Sequence, residues 1–492
     1  MMDRRDFLRK MLMALPVGSA IPWTWFSSCT PNSFPWTVPS FDGVVGVIGG
    51  GVAGLQAALT LQQQGIQVKI FEAASYLGGR ILSQFPGNEK NILQENGVEL
   101  GADFIFGPNT FFYQRVRSST STVSSAEGIR SYMSEGTEFL AVPDLSRGKD
   151  YNNFISLRDQ ILESEDSHGS SIEDFISKLE EEETNTLSTD EDINAAQTTF
   201  TNLRTLARGL ISNQFGLSLQ ELTVGEYLEK EKQRTESGKP YSTQNKSLRD
   251  IVNILYGSVE SLVQRRIVSE IEHAEGEKIR INFQDGQSDR VDKLIVALPL
   301  GVIKNDLKFQ PQLPEEKLQA LDEIEVTDCL KIFLRLSERI WSRDLRYIYL
   351  PTSISTVVVH PHKPILMGYA FGQHARDFLK GSGAELASTL FIDILDRFFG
   401  EDRVSKHLRD TEKGGEAGSF NWSRESKDAP YTKGGFSYIK TGNPAVRTVL
   451  SQPIRQDIFF AGEYTHDKGH AGTIHGAMET GHRAAYEVMR SF

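Results

Sequence analysis

The feature that most constrains the fold is a glycine triplet set between a short apolar run and a helical pattern. The run Val44–Ile48 is typical of a parallel strand that is covered on both faces. Gly49, Gly51 and Gly54 follow at once in the order Gly-x-Gly-x-x-Gly. A helical pattern and a second apolar run come next, and Glu72 closes that run. This order predicts the strand-helix-strand unit that begins a doubly wound α/β sheet.

Each residue of this unit has a physical task at a dinucleotide. Gly49 permits the tight turn, Gly51 lets the backbone approach a pyrophosphate, and Gly54 allows the helix to pack closely on the strand. Glu72 can accept hydrogen bonds from ribose hydroxyls, which indicates an unphosphorylated ribose. The unit therefore predicts NAD or FAD rather than NADP.

A second glycine pair with a cation separates these two cofactors. Residues 75–80 read Ser-Tyr-Leu-Gly-Gly-Arg, and Arg80, directly after Gly79, can lie along a pyrophosphate and offset its charge. A plain nicotinamide dehydrogenase does not need this pair. The sequence here resembles the flavin-containing amine oxidases, whose N-terminal signature includes Gly-Gly-Arg at this spacing. Residues 99–103 also resemble the stretch beneath the flavin in that family, with Phe104 where many members have Trp.

The C-terminal region resembles the second flavin motif of the same family. Residues 458–464 predict a short strand that ends at Gly462 and Glu463, and Glu463 can hold ribityl hydroxyls. Thr473 and Ile474 then open a helix, whose N-terminal N–H groups and dipole favour a reduced, anionic flavin ring. The resemblance implies FAD as the cofactor.

The resemblance also implies roles for residues in the middle of the chain. Val268 corresponds to a valine whose backbone contacts the adenine, and Lys331 to the lysine that holds a water against flavin N5. Trp422 and Phe436 occupy the positions of aromatic residues beside the flavin, where they would orient an amine. Thr473 stands where mitochondrial-type monoamine oxidases have the second aromatic residue of their cage. We therefore expect Lys331, Trp422, Phe436 and Thr473 to form the catalytic face.

Departures from the family pattern narrow the expected chemistry. Gly435 stands where mitochondrial-type enzymes have the cysteine that bonds the flavin, so the FAD is expected to be non-covalent. Residues 473–477, Thr-Ile-His-Gly-Ala, are similar to polyamine oxidases and to flavin histone demethylases. The predicted function is the FAD-dependent oxidation of a primary amine or polyamine to an imine, with oxygen reduced to hydrogen peroxide.

Three alternatives to this function remain. An L-amino-acid oxidase would need an arginine that pairs with the substrate carboxylate, and the sequence alone places none. A desaturase-like or porphyrinogen-type flavoenzyme is disfavoured by Lys331 and by residues 473–477. A flavin-binding surface protein without catalytic activity is the third alternative.

The predicted fold class is α/β, with two interleaved domains. A Rossmann-like FAD-binding domain is expected from residues 42–115, 246–315 and 445–492. The intervening residues 116–245 and 316–444 are expected to form a substrate domain of a mixed sheet and helices.

Net charge argues against a nucleic-acid partner, and the spacing of the histidines argues against a metal site. Lys and Arg number 53 against 65 Asp and Glu, a formal net charge of −12, and a nucleic-acid partner needs a basic face. His466 and His470 are four residues apart, but they lie in a Gly-rich loop and lack the His-Glu-x-x-His order of a zinc site. We therefore expect neither a nucleic-acid partner nor a metal.

The first 30 residues resemble a twin-arginine export signal. Arg4 and Arg5 precede Phe7, Leu8 and an apolar stretch that is too short and too broken to span a membrane. An amphipathic anchor and a chance arginine pair are the alternatives. The sequence before Cys29 resembles a lipoprotein processing box, although a simple cleavage site nearby fits as well. The expected location is the periplasm, with membrane attachment if Cys29 is lipidated.

Overall fold

The structure is a computed structural model that describes most of the chain after residue 37. The described residues are 38–83, 92, 98–118, 123–134, 140–142, 145, 148–164, 169–243, 246–380 and 383–492. The export signal and Cys29 lie outside these ranges, so both stay predictions. Within the ranges, no helix combines the length and the apolar character that a membrane crossing requires. Residues Phe41–Phe492 form one compact unit.

A five-stranded parallel sheet carries the glycine motif. Its strands, in order across the sheet, are Ile458–Phe460, Lys293–Val296, Val44–Ile48, Gln67–Glu72 and Val263–Arg265. The predicted strand Val44–Ile48 is therefore central, and its apolar side chains are buried. Crossover connections are required between parallel strands, which explains why strands that are neighbours in the sheet are distant in the sequence.

A seven-stranded mixed sheet forms the second large layer. Its strands, in order, are Glu416–Asn421, Cys329–Arg335, Ile365–Phe371, Thr356–Val359, Leu345–Tyr349, Ile129–Ser134 and Leu140–Val142. Leu345–Tyr349 pairs in parallel with Ile129–Ser134, and the other neighbours are antiparallel. Lys331 is the third residue of the second of these strands. This strand is buried on both faces because helices cover the side away from Lys331.

Three smaller sheets and a set of helices complete the described part of the chain. The sheets are Ser288–Val291 with Ile279–Phe283, Val268–Glu272 and Lys308–Gln310; Ile105–Phe106 with Pro240–Thr243 and Val123–Ser125; and Ile324–Val326 with Ser437–Ile439. The α-helices are Val52–Gln62, Phe111–Ser118, Lys149–Glu163, Ile172–Thr184, Asp190–Ala207, Asn213–Phe215, Val224–Ser237, Leu248–Tyr256, Leu300–Asn305, Glu315–Glu323, Gly372–Lys380, Gly383–Phe399, Arg403–Arg409, Ala445–Ser451 and Ile474–Arg490. A π-helix spans Arg208–Ser212, and 3₁₀ turns span Gly257–Leu262, Thr411–Lys413 and Glu463–Thr465.

The predicted fold class is confirmed as α/β. The parallel sheet takes strands from all three stretches that were assigned to the FAD-binding domain, and the mixed sheet takes its strands from the two substrate pieces. The boundaries of the two predicted domains remain a prediction.

Two glycines allow backbones to touch at the helix Val52–Gln62, Gly54 against the preceding turn and Gly481 from the final helix. A Cβ atom on Gly54 would lie 2.0 Å from the carbonyl oxygen of Gly49, and one on Gly481 would lie 2.0 Å from that of Ala53. The final helix Ile474–Arg490 packs against Val52–Gln62 through this contact. Close approach of the two helices therefore depends on the absence of a side chain.

We expect Gly481→Ala to destabilise the protein by about 1–3 kcal/mol, because the new methyl group would push against the backbone of Ala53. This cost exceeds the gain of about 1 kcal/mol that alanine offers over glycine inside a helix. Gly257→Ala is the matched control, since its Cβ would meet no atom within 4 Å. Chemical denaturation should separate the two variants, and equal midpoints would contradict the close-contact argument.

Candidate active site

One cavity of about 900 Å³ brings most of the predicted site residues together. Its lining includes Gly49, Gly51, Glu72, Gly79, Arg80, Val268, Lys331, Trp422, Phe436, Gly462, Glu463, Thr473 and Ile474. Gly54 lies outside the lining, in the contact between helix and strand that its predicted role requires. The cavity thus extends from the glycine motif of the parallel sheet to the mixed sheet.

The glycine motif forms an open concave surface at one end of the cavity. No atom lies within 4 Å of the point where a Cβ on Gly51 would be, so this backbone is accessible to a ligand. Glu72 accepts hydrogen bonds from the backbone N–H groups of Gly50 and, at 2.6 Å, Ala74. Burial raises the pKa of Glu72, and these two hydrogen bonds oppose the increase. A carboxylate has about four lone-pair sites, so Glu72 keeps acceptor capacity for a ribose hydroxyl.

Val268 lies close to Glu72 across the edge of the parallel sheet. The backbone N–H of Arg266 donates to the carbonyl oxygen of Glu72 at 3.0 Å, and Val268 begins the next strand. Its side chain is buried, which leaves its backbone as the part that a ligand in the cavity can reach. The predicted adenine contact stays a prediction.

An ion pair between the partly exposed Arg80 and the buried Glu463 joins segments that are distant in the sequence. Arg80 Nη1 donates to Glu463 Oε1 at 2.9 Å and also to the carbonyl oxygen of Gly435. The other carboxylate oxygen, Oε2, accepts from Ser437 Oγ at 2.7 Å and from the backbone N–H of Gly472 at 2.9 Å. Burial raises the pKa of Glu463, but the charges of Arg80 and a second arginine bring it below its usual value. Glu463 is therefore ionised, and it positions the loop before the final helix.

The final helix begins at the cavity, as its sequence pattern predicts. Thr473 is the N-cap, and its hydroxyl accepts from the backbone N–H of Gly476 at 3.0 Å. Gly462 donates its N–H to Thr480 Oγ1 at 2.9 Å, which fixes the helix to the end of the neighbouring strand. Ile474 begins the helix, so its positive dipole end faces the cavity.

Lys331 is buried, and all three of its N–H donors have protein acceptors. Its Nζ donates to Asp103 Oδ2 at 2.8 Å, to the Glu99 carbonyl at 3.1 Å and to the Gly101 carbonyl. An ammonium has three donors, and all three are used here. A water can therefore bind only if it replaces one of these three acceptors or if it bonds to a partner of Lys331 instead. The predicted role of Lys331 at flavin N5 stays a prediction, and Asp103 becomes part of that hypothesis.

Asp103 is a site residue that the sequence analysis missed. Its Oδ2 also accepts from the Tyr369 hydroxyl at 2.9 Å, while its buried Oδ1 has no hydrogen-bond partner. Burial raises the pKa of Asp103, and the charge of Lys331 opposes the increase. A carboxylate inside the otherwise apolar stretch after Leu100 is the signal that could have revealed it.

Trp422 and Phe436 both line the cavity, as the resemblance implies. Trp422 is buried, and its indole Nε1 donates to the Leu100 carbonyl at 2.7 Å, which fixes the plane of the ring. Phe436 is half-buried beside Gly472, where a Cβ would lie 3.1 Å from the phenyl ring. The indole ring is thus held by a hydrogen bond, and the phenyl ring packs against Gly472.

A wall of aromatic side chains from the mixed sheet was also missed. Tyr347 and Tyr349 stack with ring centroids 6.5 Å apart, and Tyr369 and Phe371 stack at 5.8 Å. All four line the cavity, together with Arg130. Isolated aromatic residues in strands are usually core, so no motif in the sequence distinguishes these four.

His466 and His470 meet a carboxylate that the sequence spacing does not reveal. Glu479 Oε2 lies 2.8 Å from His466 Nε2 and 3.1 Å from His470 Nδ1. His466 Nδ1 accepts the backbone N–H groups of Lys468 and His470, so Nε2 carries the ring hydrogen and donates it to Glu479. This nitrogen then has no lone pair for a metal, and the arrangement is a hydrogen-bonded cluster.

Comparison with known proteins identifies the family. The family model described as flavin containing amine oxidoreductase matches residues 52–489. Polyamine oxidase 2 of Arabidopsis thaliana is 24% identical over 465 residues, which cover 89% of this chain and 86% of that protein. Polyamine oxidase 3 of Oryza sativa is 27% identical over 248 residues, and the match spans 47% of the rice protein and 49% of this chain.

Solved structures with the same fold are also amine oxidases by name. Cyclohexylamine oxidase from Brevibacterium oxydans has a TM-score of 0.69 at 18% identity, covering 92% of this chain and 99% of that one. Putrescine oxidase bound to putrescine has a TM-score of 0.70 at 14% identity, covering 92% and 100%. At these identities the structures support the fold, and the matched family model supports the membership. The chain belongs to the flavin-containing amine oxidoreductase family.

Proposed function

We propose that this protein is an FAD-dependent oxidase of a primary amine or polyamine. The observation that carries the proposal is the single cavity that joins the glycine motif to Lys331 and to an aromatic wall. The names of the relatives, which include polyamine, cyclohexylamine and putrescine oxidases, support the same class of reaction. An aromatic wall suits the alkyl part of an amine and can interact with its cation before deprotonation.

The residues of the cavity fit FAD. The open surface at Gly51 and the N-terminus of the helix Val52–Gln62 suit a pyrophosphate. Arg80 is the cation that the sequence predicts beside this pyrophosphate. Glu72 would hold a ribose, and the N-terminus of the final helix would stabilise negative charge on the ring. Gly435 has no side chain that could bond a flavin, which supports non-covalent binding. Bound FAD supplies the acceptor of a hydride and the donor of electrons to oxygen.

The protein would orient the amine and exclude water from it. The amine loses two electrons and two protons to become an imine, oxygen takes them up as hydrogen peroxide, and water hydrolyses the released imine. Trp422 and Phe436 would direct the carbon next to nitrogen toward the flavin, since both rings line the cavity and the Trp422 ring is held by its hydrogen bond to Leu100. Lys331 and Asp103 would set the charge beside that carbon.

A substrate panel tests this proposal directly. We expect the purified, FAD-loaded protein to release hydrogen peroxide with a primary amine or a polyamine. The panel should include alkylamines, polyamines and L-amino acids, with peroxide measured by a coupled assay. Activity on L-amino acids alone would favour the first alternative function. Activity on none of these compounds, with FAD bound, would favour a flavin-binding protein without catalysis.

We expect Gly51→Val to weaken FAD binding while leaving the apoprotein as stable as the wild type. The new side chain would project into free space, so folding is unaffected, but it would occupy the position of the pyrophosphate. Flavin fluorescence quenching gives the Kd, and chemical denaturation gives the stability. A loss of apoprotein stability with unchanged Kd would contradict the assignment of Gly51 to the cofactor.

We expect Lys331→Met to slow flavin reduction or reoxidation about tenfold or more while FAD stays bound, because a charge beside the reacting atoms is lost. Stopped-flow absorbance separates the two half-reactions. Removal of the lysine leaves the buried Asp103 unpaired, so the double variant with Asp103→Asn tests whether any loss of stability comes from that carboxylate.

Lys304→Met is the matched control for Lys331→Met. It removes a partly buried lysine that pairs with Glu325 at 3.3 Å and does not line the cavity. Its flavin kinetics should equal those of the wild type. If the Lys331 and Lys304 variants behave alike, the role assigned to Lys331 is wrong.

A further inference from the structure

Arg130 is a cavity residue that no part of the predicted flavin site uses. It lies on the strand Ile129–Ser134 of the mixed sheet and lines the cavity together with the aromatic wall. Its guanidinium carbon lies 5.3 Å from the centroid of the Tyr347 ring. Its Nε is buried and has no hydrogen-bond partner. The guanidinium group is therefore positioned by an aromatic ring while part of its donor capacity is unused.

No carboxylate of the described residues pairs with Arg130. The acidic residues that line the cavity have other partners: Glu72 with Gly50 and Ala74, Asp103 with Lys331 and Tyr369, Asp306 with Lys433, Asp428 with Asn421, and Glu463 with Arg80. Arginine stays protonated in proteins, and a partly buried charge without a counter-ion is costly. An anion supplied by a ligand would offset this cost.

The Tyr349 hydroxyl is a second polar group beside the guanidinium group of Arg130. Burial raises the pKa of Tyr349 to about 12, and the charge and hydrogen bond of Arg130 oppose the increase. The tyrosine therefore remains a neutral hydroxyl that can donate to an anion bound by Arg130. Its ring is packed against Gly209, where a Cβ would lie 2.1 Å away, so the hydroxyl has little freedom to move.

The distance from Lys331 to Arg130 decides which anion this position can hold. The path across the sheet goes from the Lys331 strand to those of Tyr369, Val358, Tyr347 and Arg130. Three strands therefore separate Lys331 from Arg130, and both residues line the same cavity. The carboxylate of an α-amino acid lies on the reacting carbon, which belongs beside Lys331. A carboxylate at Arg130 would belong to another part of the substrate.

We propose that Arg130 binds a carboxylate at the far end of the substrate, so that the substrate class is an ω-amino carboxylate with an alkyl chain between its two charges. The inference rests on the proposed amine oxidase function. The chain would lie along Tyr369, Tyr347 and Tyr349, with the amine at Lys331 and the carboxylate at Arg130. A diamine or polyamine of the same length would instead place an ammonium against the guanidinium group.

Four substrates of equal chain length test this assignment: ε-aminocaproate, hexylamine, hexamethylenediamine and norleucine. We expect the wild type to have its highest kcat/KM with ε-aminocaproate and its lowest with hexamethylenediamine. Arg130→Gln should lower kcat/KM for ε-aminocaproate about tenfold or more, through KM rather than kcat, because a charge-assisted hydrogen bond is lost. The same variant should change hexylamine oxidation little, and Arg130→Lys should recover part of the loss.

Arg335→Gln is the matched control, since this arginine lies in the same sheet, pairs with Glu416 and does not line the cavity. Its substrate order should equal that of the wild type. Preference for hexamethylenediamine, or an equal effect of Arg130→Gln on ε-aminocaproate and hexylamine, would overturn the inference. Preference for norleucine would also overturn it, since it would place the carboxylate beside Lys331.

A binding measurement separates this inference from the proposed function. Hexanoate should change the flavin absorbance of the FAD-loaded protein saturably, and Arg130→Gln should raise its Kd about tenfold or more. Oxidation of no amine would contradict the proposed function, but this titration would still support or contradict a carboxylate site at Arg130. Oxidation of amines with no effect of Arg130→Gln on hexanoate binding would leave the function intact and overturn the site.

Discussion

The ion pair between the partly exposed Arg80 and the buried Glu463 is the interaction on which the site depends. It joins residues that are 383 positions apart, and it uses both carboxylate oxygens of Glu463 through further bonds to Ser437 and Gly472. A buried carboxylate stripped of such partners would be costly, so the parts of the chain that meet here are held together. The glycine pair before Arg80, the loop before the final helix and the strand Ser437–Ile439 meet at this one position.

The mixed sheet forms the other side of the cavity, where the hydrogen bonds of the buried Lys331 hold the side chains in place. Lys331 is held by two carbonyl groups and by Asp103, which also binds the hydroxyl of Tyr369. Alternation along the strands places the large aromatic residues on the face toward the cavity, while the opposite face packs on helices. The same sheet therefore carries the charged pair of Lys331 and Asp103 and, beside it, the aromatic wall of the cavity. Arg130, beyond this wall, adds a second charged group.

Much of the cofactor side could be predicted because it is encoded in contiguous motifs. Gly49, Gly51 and Gly54 predict a turn, an open approach and a close contact, and the structure has each of them. Thr473 caps the final helix where the sequence predicts its beginning. The substrate side was predicted less well, because Arg130 has no local pattern and the only local signal of Asp103 is a carboxylate in an apolar stretch. The roles of these two residues depend on strands that are neighbours only in the folded sheet.

The sequence by itself determined the α/β class and the strand-helix-strand unit at Val44–Glu72, because short-range periodicity and glycine spacing are sufficient for these. The resemblance to the family supplied most of the other residues expected at the cofactor. Only the tertiary structure decided that Asp103 takes a donor of Lys331, that Glu479 joins His466 and His470, and which charges line the cavity. These contacts join segments far apart in the chain. Their geometry depends on strand order and burial, which local patterns do not contain.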